Sequence, residues 1–270
     1  MFGWLKDRLL GRTASRELPD ALWESTLAQF PFLADRPAEA VQRLRLLTRQ
    51  FLRHKQFHGA NGLEITDAMA VAIAAQACLP VLNLRHGWKP LAWYDDFVGI
   101  VVHPGEVVAQ REATDPAGVV HRWREVIAGE AMHRGPVMLS WQDVALAGTS
   151  VEQGYNVVVH EFVHKIDMRD GAADGCPPLP PSFMGWAAPQ IARTAWLGAL
   201  GAAYDDFREK VILAERFGAE RPWLNPYGAE SIVEFFAVAC EAYFVNRSRF
   251  GADFAALLPL FDAFFQPDLP

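Results

Sequence analysis

Read for its alternation of apolar and polar positions, the chain changes character twice. Residues 21–30 carry Leu22, Leu27 and Phe30 at mixed spacing. After an Asp35-Arg-Pro37 turn, Val41, Leu44, Leu47, Phe51 and Leu52 recur at helical intervals, with Pro37 suited to a first helical turn. Thr66 stands as an N-cap before an apolar helix that runs to about Leu79 and ends at Pro80. The rhythm then shortens. Residues 81–84, 97–102 and 137–141 are brief apolar or β-branched runs bounded by Gly, Pro or Asp and predict strands. The stretch 103–136 reads as loop-rich, with an irregular strand or two around 119–126. From 152 to about 168, Tyr155, Val158, Val159, Phe162, Val163 and Ile166 form a broad apolar stripe on one long helix. Glycine and proline break the pattern at 171–181, and helices resume over 191–217, 231–246 and 250–265, with a Pro/Gly/Asn loop at 221–228.

Helices, then strands, then a long helix and a helical last third make an α+β protein, with a small mixed sheet packed on the central helix. The 270 residues fit one domain, 1–270, with a helical part at 1–60, a helix-and-sheet part at 61–150, and the central helix with a helical C-terminal part at 151–270. The hydrophobic fraction of 51% supplies a core that needs no staples. Cys78, Cys176 and Cys240 agree, being odd in number, far apart and without a Cys-x-x-Cys pair, which suits free thiols in a reducing, cytoplasmic compartment. Net charge is −7 with basic residues scattered among acids, so no direct nucleic-acid footprint is expected. Residues 1–10 are interrupted by Lys6, Asp7 and Arg8, which argues against a targeting segment and leaves a short amphipathic surface helix as the alternative. No apolar stretch is long enough to predict a membrane span.

Within the long helix stands His160-Glu161-Phe162-Val163-His164. Positions i and i+4 lie about 40° apart around an α-helix, so both imidazoles project from one face, one turn apart, and can share one small tetrahedral cation. Glu161 follows the first histidine and places a carboxylate beside such a cation, where it can take a proton from water. Chance produces this pattern in about one such chain in a hundred. Its apolar surroundings sharpen the reading, because two histidines and a glutamate are costly in a core without a metal. The alternative is a solvent-facing His-Glu-His stripe.

A third protein ligand is then needed. The segment running from Tyr227 through Glu230, Ser231 and Glu234 to Glu241 places acids on a helix otherwise built of Ile232, Val233, Phe235, Phe236 and Val238. Glu234 is the first candidate, although Ser231-x-x-Glu234 also reads as a capping box. Glu230 and Asp167 are the alternatives, Glu230 also reading as a charge at a helix N-terminus. Asp167 and Glu241 could each accept a hydrogen bond from a histidine and so orient it. Tyr227, in a Pro226-Tyr-Gly228 turn, could donate to a developing oxyanion or simply anchor the turn.

The stretch from Asn156 to Asp167 (Asn-Val-Val-Val-His-Glu-Phe-Val-His-Lys-Ile-Asp), with Tyr227 seven residues before Glu234-Phe-Phe-Ala-Val, resembles the Mlc titration factor A family of bacterial zinc peptidases. The Met1-Phe-Gly-Trp-Leu start is similar too, and the same Tyr-to-Glu spacing is shared with the related catalytic domain of anthrax lethal factor. The resemblance implies a zincin-like metallopeptidase fold holding one Zn²⁺ on His160, His164 and Glu234, with Glu161 as base and Tyr227 polarising the scissile carbonyl. It further implies a peptide substrate, aminopeptidase activity and binding of a repressor of the Mlc type. The Pro-rich stretch 175–189 departs from the pattern and could form a lid.

On this reading the strand at 137–140 is the edge that receives an extended peptide. Two other readings stand beside it. One is a regulatory protein that sequesters a transcription factor, its metal site structural or weakly catalytic; the other is a zinc hydrolase of small amides. An aminopeptidase also needs an acidic anchor for the free amine, and the sequence assigns that role to no residue.

Overall fold

Capping residues and prolines set most helix boundaries. The computed structural model describes residues 17–84, 89–114, 120–171 and 173–266, with backbone alone for 107–127. Its first helices are α1 (Asp20–Gln29), α2 (Pro31–Ala34) and α3 (Ala38–His54). Helix α4 (Asp67–Cys78) begins where expected, Thr66 Oγ1 accepting from the Met69 N–H at 3.2 Å. Its residues from Met69 to Cys78 are all buried, as a helix without a polar face must be. The N-terminal segment considered for a membrane surface lies outside the described residues. No helix among the described residues is long and apolar enough to cross a membrane.

The sheet has four strands in the order β1 (Gln56–Gly59), β2 (Gly99–His103), β6 (Val137–Ser140), β5 (Gly129–Ala131). The first three run parallel and β5 is antiparallel to β6. Ile100, Val102, Val137 and Leu139 are buried, the period-2 signature of strands facing a core. A separate antiparallel hairpin joins β3 (Val107–Thr114) to β4 (Val120–Ile127).

Four expectations are corrected here. Residues 81–84 form turns, not a strand, closed by Leu82 N–H to Leu79 O and Leu84 N–H to Val81 O; their apolar character reflects burial in the core. The loop-rich reading of 103–136 gives way to β3, β4 and β5, and β1 went unseen because its four residues are mostly exposed and carry no apolar alternation. The strand at 137–140 lies between β2 and β5, so it is not an edge, and the edges of the sheet are β1 and β5. The 250–265 helix is interrupted by turns between α9 (Arg247–Asp253) and α10 (Leu258–Phe265), the latter with a proline in its first turn.

After α5 (Trp141–Leu146), the central helix α6 (Val157–Asp167) starts five residues later than its apolar stripe suggests. Gly154 adopts φ 67°, and Asn156 then caps the helix, its Oδ1 accepting from Val159 N–H at 2.9 Å. On the back of α6, Phe162 packs against Phe51, Tyr94 and Phe97 at ring separations of 5.6, 5.0 and 5.9 Å. That contact turns the opposite face, with His160 and His164, toward α8 (Ile232–Val245), which packs alongside. Helix α7 (Pro189–Phe217) and α10 complete the helical part, with Trp196 stacked on Phe261 at 5.6 Å. The 175–189 stretch packs here: Trp196 Nε1 donates to Gly175 O at 2.7 Å, and Phe183 lies against Trp196. All three cysteines are free and buried.

One buried charge ties α6 to the sheet edge. The Lys165 side chain has no exposed surface; its Nζ donates to Met132 O and, at 2.8 Å, to Gly135 O, and it lies 3.8 Å from Asp96 and 4.5 Å from the Phe97 ring centre. Both carbonyls belong to the turn between β5 and β6. A buried ammonium is tolerated only when its donors are satisfied, so this pairing sets where that turn sits over the helix. Lys165→Met keeps the volume and removes the donors, and is expected to lower unfolding free energy in urea by about 3 kcal/mol. It should also speed amide exchange in residues 129–135; unchanged protection there would show that the turn is held by other contacts.

Candidate metal centre

The two central helices bring three ionisable groups to one place. His160 and His164 project from α6 and Glu234 from the first turn of α8. His160 Nε2 lies 3.1 Å from His164 Nε2 and 3.0 Å from Glu234 Oε2, and the His164 to Glu234 separation is 3.4 Å. Among the described residues, these three form the one group of histidines, cysteines and acids whose donor atoms all fall within 4.8 Å of each other. Glu230 is exposed and Asp167 stands apart, so neither alternative third ligand joins the cluster. Ser231 Oγ does cap Glu234 N–H at 3.2 Å, while the Glu234 carboxylate turns to the histidines.

The donor chemistry fits a cation. Glu241 Oε1 lies 2.8 Å from His160 Nδ1, and its other oxygen accepts from Asn156 N–H. A carboxylate only accepts, so His160 Nδ1 carries the proton and its Nε2 presents a lone pair in the neutral tautomer. That lone pair faces the lone pairs of Glu234 and His164. A proton on Nε2 is one remedy: burial opposes it, yet the hydrogen bonds to Glu234 and Glu241 prevail and raise the His160 pKa well above its ordinary value. Burial likewise works against the Glu234 charge, but both histidines outweigh it and hold that carboxyl well below the usual range. A shared cation is the other remedy and serves all three atoms at once. Tetrahedral zinc with donors at 2.0–2.1 Å spaces them ~3.4 Å apart, close to the separations found.

Glu241 therefore occupies the orienting role considered for it, buried and bonded to His160. Asp167 does not orient His164: its Oδ2 accepts from Gly175 N–H at 2.9 Å, anchoring the chain as it leaves α6. Asn156 extends the support, its amide donating to Gln76 Oε1 at 2.8 Å on the buried helix α4. Glu161 is buried beside the cluster. Burial pushes its carboxyl up to about 8; the neighbouring His160 opposes the shift while Glu234 and Glu241 add to it. The Tyr227 ring lies 5.9 Å from that of His160.

A cavity of about 250 Å³ opens on this cluster, with His160, Glu161 and Tyr227 among its walls. Among the described residues, none of 175–189 lines it. Gly129 of β5 is also part of the wall. A Cβ on Gly129 would lie 2.5, 2.7 and 2.8 Å from Glu161 side-chain atoms, so only glycine lets the edge strand approach that carboxylate. Nothing in the local sequence of Gly129 signals this contact.

Two variants test this geometry. Gly129→Ala is expected to leave the melting temperature within a few degrees and to rotate Glu161 out of place; a crystal structure with Glu161 unmoved would contradict the close-approach reading. Glu241→Gln should weaken zinc affinity about 10–100-fold, measured by competition with a chelator, because His160 loses the acceptor that orients it. Unchanged affinity would mean that Glu241 plays only a packing role.

Comparison with known proteins finds relatives along nearly the whole chain. The family model described as glucose-regulated metallo-peptidase M90 matches residues 3–266. Relatives named Mlc titration factor A include that of Edwardsiella ictaluri (strain 93-146), 35% identical over 247 residues, 91% of this chain and 87% of the relative. That of Klebsiella pneumoniae (strain 342) is 32% identical over 257 residues, 95% and 88% of the two chains. That of Salmonella arizonae is 31% identical over 250 residues, 92% of each. With a family model matching residues 3–266 and relatives more than 30% identical along nearly its whole length, this chain belongs to the glucose-regulated metallo-peptidase M90 family.

Proposed function

We propose that the protein is a zinc-dependent peptidase of zincin type, acting in the cytoplasm as an aminopeptidase, with one Zn²⁺ held by His160, His164 and Glu234. The observation that carries this reading is the convergence of three lone-pair donors within 3.0–3.4 Å, with the buried Glu161 carboxylate immediately beside them. Zinc at that position supplies Lewis acidity, which polarises a carbonyl and acidifies a water. Glu161 takes the proton from the attacking water and returns it to the leaving amine. Tyr227, beside His160, donates to the oxygen on which negative charge develops. The free edge of β5 receives the peptide backbone as an added strand, the role first expected of 137–140.

The name shared by the relatives supports a second role. We infer that this chain also binds a repressor of the Mlc type, and that hydrolysis and repressor binding coexist on one molecule. The two roles separate by mutation, since repressor binding does not need Glu161 as a base.

The test uses zinc-loaded protein and a panel of peptides. Glu161→Gln is expected to lower kcat by about 10²–10⁴ while zinc content and repressor binding stay at the parent level. Tyr227→Phe should lower kcat by about 10²-fold with less effect on KM. A Glu161→Gln protein as active as its parent, or a zinc-loaded parent inert toward every peptide, would overturn the peptidase reading. The second outcome together with intact repressor binding would leave a regulatory metalloprotein.

A further inference from the structure

Helix α4 packs against α6, and its buried residues from Met69 to Cys78 are apolar except for one amide, that of Gln76. A buried amide is costly unless its donor and acceptor ends are both used. Here both are used, and in a fixed direction. Gln76 Nε2 donates to Ala72 O at 3.1 Å, which leaves Oε1 to accept from Asn156 Nδ2 at 2.8 Å. Asn156 Oδ1 takes the Val159 N–H, so its amide cannot turn round without losing both bonds. The backbone N–H of the same Asn156 donates to Glu241 Oε2, and Oε1 of that carboxylate takes the proton on His160 Nδ1.

The bond between the two amides is more than the fold requires. Capping α6 needs only Asn156 Oδ1, and filling α4 needs only an apolar side chain of similar size. What the extra bond does is fix the residue whose backbone N–H holds Glu241. Gln76 and Asn156 have no exposed surface and Glu241 is 1% exposed, so bulk water offers none of them a substitute partner. A displacement at Gln76 is therefore passed along the chain of bonds instead of being absorbed by solvent.

We propose that Gln76 is a positioning residue for the metal centre. Through Asn156 it holds Glu241, and so keeps the His160 imidazole turned with Nε2 toward the cation. The inference rests on zinc being the cation that His160, His164 and Glu234 share. The orientation of His160, however, is set by protein groups and exists with or without the metal.

Two variants cut the same link from opposite ends. Gln76→Met keeps the length of the side chain and removes its amide. Asn156→Ser keeps an oxygen for the N-cap and the backbone N–H to Glu241, and removes the amide that bonds to Gln76. Zinc affinity of the full chain is measured by competition with a chelator for the parent, each variant and the pair, where all are folded. The His160 Nδ1 proton is followed by NMR in metal-free, nitrogen-labelled protein. Each single variant is expected to weaken zinc binding about 10-fold and to speed exchange of that proton with solvent. The pair should lose no more than either variant alone, because both break one link. Losses that add in the pair, or parent affinity and an unmoved Nδ1 proton in Gln76→Met, overturn the proposal. Should Gln76→Met fail to fold, Asn156→Ser decides: parent affinity and an unmoved proton there overturn it equally. A parent that takes up no zinc, while its Nδ1 proton still responds to Gln76→Met, overturns the zinc site and leaves the orienting role of Gln76 standing.

Discussion

Two imidazoles, the buried carboxylates of Glu161 and Glu241 and the half-buried one of Glu234 meet between helices that are largely apolar, and the arrangement of the molecule around α6 and α8 follows from the need to satisfy them. Burying such groups unpaired costs far more than the marginal stability of a domain can bear. Glu241 fixes the proton of His160 on Nδ1, which turns the Nε2 lone pair toward His164 and Glu234. Once that orientation is imposed, three acceptors face one point, an arrangement that fits a divalent cation. The buried Glu161 beside them is then a neighbour of that point and not a part of it.

The supporting structure holds this point from several directions. Phe162 anchors the back of α6 among Phe51, Tyr94 and Phe97, so the helix cannot roll and carry the histidines away. Asn156 begins the helix and also bonds to Gln76 and Glu241, linking three helices at the base of His160. Lys165, one residue past the second histidine, grips the turn that leads from β5 to β6. Helix and sheet edge are thereby set at one distance, and Gly129 lets that distance be short enough for β5 to touch Glu161. A site that reads as five residues of one helix thus depends on α4, α8 and the edge strand.

Much of this was legible in the sequence, for identifiable reasons. The His160 to His164 spacing encodes a shared helix face directly, and Glu234 could be named because an acid among Phe235, Phe236 and Val238 has few other uses. Helices whose apolar residues repeat strongly, such as α3, α4 and α8, were found close to their observed positions. Short strands were the weak point. Residues 81–84 look like a strand because they are apolar, yet they turn inside the core, while β1 pairs through its backbone with mostly exposed side chains. Backbone pairing leaves little trace in four residues, so the sheet order, and with it the identity of β5 as an edge, needed coordinates. The same holds for Asp167, whose partner Gly175 N–H lies in a loop that no periodicity describes.

The most direct test of the central claim is zinc K-edge X-ray absorption on the purified protein, with metal content determined on the same sample. The account predicts one zinc per chain, with a first shell of nitrogen and oxygen donors, the outer-shell scattering of two imidazoles and no sulfur. Loss of that signal in His164→Ala should accompany loss of the metal. A protein that takes up no zinc, or one whose zinc is bound through sulfur or retained without His164, would contradict the account.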